Sequence, residues 1–128
     1  MFKGSFVALV TPMDGEGRVE LDAMKKLVRF HLDRGTDGLV VAGTTGESSA
    51  LTTEEFTGLL TTVCRTADGA IPVIAGTGTA NTAKSIKMTR LAGELGADAA
   101  LVVTPYYNRP MQNGLEAHFS AVADASEI

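Results

Sequence analysis

Gly38-Leu39-Val40-Val41-Ala42-Gly43-Thr44-Thr45-Gly46-Glu47-Ser48 reads as a strand running into a glycine-rich turn. The apolar run does not alternate with polar residues, the pattern of a strand covered on both faces. A few residues on, Thr52-Thr53-Glu54-Glu55 forms a capping-box pattern ahead of Phe56, Leu59, Leu60 and Val63, whose three- and four-residue steps mark a helix with one apolar face. Strand, turn and capped helix make one βα unit.

On either side of it the same unit recurs. Apolar segments at Phe6–Val10, Val73–Ala75 and Ala99–Val103 read as further strands. Leu21, Met24, Leu27, Val28 and Leu32 give a helix before the quoted stretch. Asn81 or Thr82 can cap a third helix that is expected to bury Ile86 and Leu91, and a fourth begins at Asn113-Gly114-Leu115-Glu116 and continues through Phe119 and Val122 to the end of the chain. Strand centres fall roughly 25 to 35 residues apart, the length that a right-handed crossover requires. Alternating β and α places the chain in the α/β class as a single domain over residues 1–128. The alternation alone does not choose between an open sheet and one half of an eight-fold barrel.

Composition narrows the function classes. With 45% hydrophobic residues, 20% charged residues and a net charge of −4, the chain has no basic footprint for nucleic acid and no charge block suited to a membrane. Its apolar runs are too short to span a bilayer. The N-terminus enters a strand-like segment without a signal-peptide pattern, and Cys64 has no partner for a disulfide or a metal cluster. The expectation is a cytoplasmic protein without metal or organic cofactor.

Hydroxyls and glycines gather where each strand ends: Thr11-Pro12, Gly43-Thr44-Thr45-Gly46, Gly76-Thr77-Gly78-Thr79 and Thr104-Pro105-Tyr106-Tyr107-Asn108. Parallel α/β folds bind ligands at that face. In the second of these loops, two glycines let the backbone approach a ligand. Two threonines bring hydroxyls and main-chain N–H groups together, an arrangement suited to a small carboxylate. The loop lacks the lysine of a phosphate-binding P-loop, and a plain turn remains the competing reading. In the last loop, adjacent tyrosines can donate and accept protons without fixed charge, or simply pack. Glu47, beside a helix start, reads as stabilising backbone N–H groups. His31 and His118 read as helix-surface or partly packed residues, and Cys64 as a small buried hydrophobe.

Gly4-Ser5-Phe6-Val7-Ala8-Leu9-Val10-Thr11-Pro12-Met13, Gly43 to Ser48, Ile71-Pro72-Val73-Ile74-Ala75-Gly76-Thr77-Gly78 and Val103 to Pro110 together resemble the dihydrodipicolinate synthase family, in order and along the whole chain. The resemblance implies the first four βα units of a (β/α)₈ TIM barrel, a half-barrel that lacks the second half. It implies a lyase of lysine and diaminopimelate biosynthesis that condenses pyruvate with aspartate semialdehyde through a lysine Schiff base, and a homo-oligomer built from tight dimers. Carried over residue by residue, Thr45 and Gly43 bind the pyruvate carboxylate. Thr44 is the middle of a hydroxyl proton relay, and Tyr107 is the relay member lent across the dimer interface. Tyr106, Ser49, Ala80 and Lys84 take interface or regulatory positions.

The chain departs from that pattern in two places. Its lysines, Lys3, Lys25, Lys26, Lys84 and Lys87, all fall outside strand ends, so the isolated chain is expected to be inactive. Lysine-inhibited members often carry histidines on the second helix and a carboxylate on the third, where this sequence has Thr53, Phe56 and Lys84. A cation there repels the ammonium of lysine, so weak or absent feedback inhibition is expected. A half-barrel also leaves strand edges and apolar residues uncovered, so association is expected. Two alternatives stand beside this reading: an open-sheet domain that binds a small anion, and half of a sister pyruvate-dependent aldolase resembling N-acetylneuraminate lyase.

Overall fold

Four strands alternate with four helices, in the order β1 (Phe6–Ala8), α1 (Leu21–Asp33), β2 (Gly38–Val41), α2 (Thr53–Ala67), β3 (Val73–Gly76), α3 (Thr82–Glu94), β4 (Ala99–Leu101) and α4 (Gln112–Ala123). The structure is a computed structural model that describes residues 2–128. Local chemistry starts the helices where the sequence placed them. The Glu55 N–H donates to the Thr52 hydroxyl at 3.2 Å, and the Thr52 N–H donates to the Glu55 carboxylate at 2.8 Å, closing the capping box of α2. The Asn81 side chain takes the Lys84 N–H at 2.9 Å and caps α3.

The strands form one parallel sheet in the order β1-β2-β3-β4, with Val7 opposite Leu39, Leu39 opposite Val73, and Ala75 opposite Ala100. Each crossover steps one strand in the same direction. Right-handed crossovers then place every helix on a single face of the sheet. A doubly wound sheet reverses its strand order and carries helices on both faces; this one does neither. The architecture is the first four βα units of a TIM barrel, with helices outside and the barrel-facing side of the sheet uncovered.

The core lies between sheet and helices. Met24 and Val28 of α1, Leu59, Leu60 and Val63 of α2, and Leu39, Val41 and Ala75 of the strands have no accessible surface at all. Each such aliphatic side chain contributes about 1.5–3 kcal/mol on transfer from water. Leu39 and Val41 point to this layer, while Val40 between them points into the barrel and is half-buried. The edge strands are not covered on both faces as their composition suggested: Ala8 and Leu101 are exposed on the barrel side.

Several expectations shift. The strand segments read to Val10 and Val103 end as ladders at Ala8 and Leu101. The final helix stops at Ala123, and the side chain of Ile128 turns back onto Gly93 of α3. Helix α3 buries Ser85, Met88, Thr89 and Ala92, whereas Ile86 and Leu91 are only half-buried. Hydroxyl pairing explains that turn of the helix, because Thr89 meets Thr77 of the β3 loop at 2.8 Å and returns a hydrogen bond to the Ser85 carbonyl at 2.8 Å. In α4 it is His118 that faces inward, at 5% exposure, while Phe119 is exposed.

Exposed large apolar side chains have a marked distribution. Val10 and Phe30 belong to the first βα unit, and Leu101, Val103, Met111 and Phe119 to the last. From His31 through Ala100 none is exposed.

Candidate active site

All four loops that carry hydroxyls leave the carboxyl ends of parallel strands, so they lie on one rim. The Thr44–Thr45 pair and the Tyr106–Tyr107 pair therefore share a face, as a common site requires.

The β2 loop is held on both sides. Ala42, buried in a left-handed backbone conformation at φ 52°, turns the chain sharply out of the strand. Gly46 and Ser48 both donate to the Gly43 carbonyl, at 3.1 and 3.4 Å, and Glu47 donates to Thr44 at 3.1 Å. From the β1 side, the buried Thr11 hydroxyl donates to the Gly46 carbonyl at 2.7 Å. From the β3 side, the backbone of Gly76 presses so close that a Cβ there would lie 2.0 Å from the Ala42 carbonyl oxygen. The two glycines of the loop differ. A Cβ on Gly46 would come within 3.0 Å of the Leu9 carbonyl, so packing demands a glycine. A Cβ on Gly43 would meet only Val40, at an ordinary 3.6 Å. Nothing in the chain's own packing requires Gly43 to lack a side chain. Its bare backbone lines a crevice of about 30 Å³ together with Thr44, Ser48, Gly76, Leu101 and Val103. That volume is about one water's share, so the crevice is the floor of a site and not the whole of it.

Thr44 and Thr45 are exposed, with hydroxyls free to meet a ligand. The Tyr107 side chain is 98% exposed on a backbone at φ 70°, and Arg109 two residues on is also left-handed, at φ 43°. Tyr107 does not reach the crevice beside Thr44. Within one chain, the Thr44 and Tyr107 side chains line no common cavity.

A second cavity, of about 60 Å³, gathers Ser49, Thr53, Phe56, Lys84 and Tyr106. Three of the four interface or regulatory candidates thus converge. The fourth, Ala80, lies beside them in the β3 loop, and its carbonyl accepts from the Asn108 amide at 3.3 Å. Ser48, Gly76 and Gly78 line both cavities, so the two share a wall. Lys84 is in the first turn of α3, and therefore on the functional rim although outside the strand ring. All the lysines are exposed, and none lies in the crevice beside Thr44.

Sequence reasoning assigned no structural role to Thr11, to the Thr77, Ser85 and Thr89 hydroxyls, or to a buried His118. Thr11 clamps the β2 loop; the clustering of hydroxyls at strand ends was its only signal. Thr77, Ser85 and Thr89 form a buried hydroxyl chain with Thr79 that fixes the β3 loop on α3. His118 is buried, with Nδ1 2.9 Å from the Thr82 hydroxyl and Nε2 without a partner. Cys64 packs half-buried against the core, and burial raises its thiol to about 11, away from thiolate chemistry. Among the described residues, no three His, Cys, Asp or Glu side chains gather as a metal site, and no helix is long and apolar enough to cross a membrane.

Comparison with known proteins agrees with this geometry. The model of the dihydrodipicolinate synthetase family matches residues 1–128. The 4-hydroxy-tetrahydrodipicolinate synthase of Methylococcus capsulatus is 51% identical over 128 residues, covering 100% of this chain and 44% of that protein. The crystal structure of the chloride-inhibited dihydrodipicolinate synthase of Acinetobacter baumannii, complexed with pyruvate, superposes with a TM-score of 0.98 at 48% identity, covering 100% of this chain and 44% of its own. That of Cyanidioschyzon merolae with lysine bound superposes with a TM-score of 0.93 at 40% identity, over 97% of this chain and 42% of its own. The chain spans less than half the length of the relatives it matches.

Proposed function

The chain belongs to the dihydrodipicolinate synthetase family, and from that premise we propose that it forms the pyruvate-holding rim of a lyase condensing pyruvate with aspartate semialdehyde in lysine and diaminopimelate biosynthesis. Thr45 and the bare backbone of Gly43 hold the pyruvate carboxylate through hydroxyl and N–H donors, which strengthen when the acceptor is charged. Thr44 carries a proton between substrate and tyrosine hydroxyls. Tyr107 completes that relay in the site of a neighbouring subunit, because its ring stands free of its own chain. The amine that forms the Schiff base comes from outside these 128 residues. The reaction needs no metal or organic cofactor, and the enzyme works in the cytoplasm as a homo-oligomer of tight dimers.

One observation carries this reading: Gly43 is a glycine that the fold does not need, placed beside an exposed threonine on the rim where parallel α/β folds bind ligands. The cavity around Tyr106 is the regulatory position. The ammonium of Lys84 lines it and opposes a cationic effector, so free lysine inhibits weakly or not at all.

The test joins the 128 residues to the remainder of the Methylococcus relative. The chimera condenses the two substrates, and borohydride with pyruvate traps an adduct on it. The isolated chain gives none. Thr44→Val lowers kcat by about 100-fold, the usual share of a positioned proton-transfer group, while Gly43→Ala raises the KM for pyruvate and leaves the melting temperature unchanged. A stoichiometric adduct on the isolated chain, or a folded chimera without activity, refutes the assignment.

A further inference from the structure

We propose that His118 is a positioning residue: its bond to Thr82 fixes the register of α4 against α3 and so sets how far the Tyr106–Tyr107 loop stands above the rim. His118 is 5% exposed, its Nδ1 lies 2.9 Å from the Thr82 hydroxyl, and its Nε2 is buried without a partner. That nitrogen is shut off by atoms of this chain, so neither solvent nor any other segment or subunit reaches it. A ring nitrogen buried in this way costs stability. Apolar side chains of similar shape in place of both partners would be neutral or better. Stability therefore does not explain the histidine. In its best-attested use, a buried polar group selects one register among several.

Helix α4 needs such a pin. Its other inward positions, Leu115, Ala121 and Val122, are all apolar, so a slip of one turn exchanges one aliphatic contact for another. Only His118 adds a directional bond from this face. The helix start supplies none, since Met111 makes no side-chain cap, and the Arg90 bond to the Ala125 carbonyl is exposed and lies beyond the helix end. Thr82 is the first residue of α3, whereas His118 sits six residues past Gln112, the first of α4. Both helices run the same way from one rim, so the bond sets the start of α4 about 9 Å beyond that of α3, at 1.5 Å per residue. That projecting turn and a half carries the Tyr106–Tyr107 loop. The loop's own side-chain tie, from Asn108 to the Ala80 carbonyl at 3.3 Å, ends two residues before Thr82. Both attachments thus meet residues 80–82. The consequence for catalysis rests on the role proposed above for Tyr107, whose hydroxyl must stand at one height to serve a neighbouring site.

The test uses the chimera proposed above, with the unsubstituted chimera as reference. Combining Thr82→Val with His118→Leu removes the bond and the unpartnered nitrogen together. The urea midpoint should equal or exceed that of the reference. Amide exchange over residues 102–111 should be at least threefold faster and kcat at least tenfold lower, with the KM for pyruvate within twofold. His118→Asn keeps a polar atom where Nδ1 stands, and should restore both exchange and kcat to within threefold. Unchanged loop exchange in the double variant overturns the proposal. So does a lower midpoint in a folded double variant, faster exchange with unchanged kcat, or failure of His118→Asn to restore the loop. If the double variant does not fold, Thr82→Val alone decides by the same exchange and kcat readings. A reference chimera that folds without activity refutes the function proposed above, and the exchange and midpoint measurements then decide the register pin by themselves.

Discussion

The loop after β2 is gripped by the clamp from Thr11, by the close backbone of Gly76 and by its own turns around the Gly43 carbonyl. The loop after β4 leaves the same rim with one exposed side-chain tie, from Asn108 to Ala80. The contrast continues into the helices that follow. Helix α2 starts on a full capping box, whereas α4 starts at Met111 with no side-chain cap. The chain therefore provides rigidity where, in the function proposed above, a small anion meets fixed donors. It leaves the tyrosine loop to be ordered by something else, and holding donors still before the ligand arrives is what makes them useful in catalysis. Left-handed backbone does not mark the difference, since each loop carries two such non-glycine residues, Ala42 and Glu47 in the first and Tyr107 and Arg109 in the second.

The sharpest way to break the contrast is to loosen the stiff loop from below. In Gly76→Ala, the new Cβ meets backbone, the Ala42 carbonyl and the Gly43 N–H, and neither can yield as a side-chain tip would. A loss of about 3 kcal/mol is expected, the upper end for overpacking a tight interior, read as a lower urea midpoint at fixed protein concentration. An unchanged midpoint would show that β3 does not brace the loop.

Removing the clamp from the other side should cost less. Thr11→Val keeps the shape but leaves the buried Gly46 carbonyl without its donor, a loss of about 1.5 kcal/mol. Asn108→Ala removes the exposed tie of the other loop and should stay within about 0.5 kcal/mol. Equal losses in the two variants would mean that the loops do not differ in stiffness.

These particular residues also show what could be read from the chain beforehand. The βα repeat, the capping box at Thr52 and Glu55, and the glycine-threonine loop are local patterns, written within a few consecutive residues, and each was legible. The buried face of α3 was not. Its inward positions hold Ser85 and Thr89, and a search for apolar periodicity settles instead on Ile86 and Leu91. What makes the serine and threonine welcome inside is Thr77, a partner from another element. His118 escaped for the same reason, since its partner Thr82 lies 36 residues away. Strand composition alone did not show the bare barrel-facing side, which followed only from the half-barrel that the resemblance implies. A strand with one face on the core and one face waiting for cover has the same composition as a strand already covered twice.

The weaker helix start can be repaired. Met111 has the extended backbone of an N-cap residue, φ −69° and ψ 166°, but no oxygen to accept an N–H of the first turn. Met111→Asp supplies the acceptor and a charge that the helix dipole favours, and it removes an exposed apolar side chain. A gain of about 1 kcal/mol is expected. A loss would show that the β4 loop and the start of α4 already hold a stable arrangement that the cap disturbs.

The smallest effect should come from titrating the cap that α2 already has. Hydrogen bonds from the Thr52 backbone N–H and, secondarily, its side chain hold the Glu55 carboxyl below its ordinary value of 4.5. A depressed folded-state value means that the ionised group stabilises the native chain above 4.5, and that this contribution fades as pH falls below it through the folded value. Asp14 and Asp22 are depressed as well, by Arg18 and Lys25 respectively, so acid destabilisation of the parent mixes all three. Glu55→Gln isolates the cap: its amide can still accept from Thr52 but does not titrate, so the difference in stability between parent and variant should shrink or reverse as pH falls through the acidic range. The protection of the Thr52 amide, taken relative to its intrinsic exchange at each pH, should fall in the parent and not in the variant. A pH-independent difference would mean that the carboxylate charge contributes nothing to the start of α2. The two loops would then differ only in what clamps them, and not in how their helices begin.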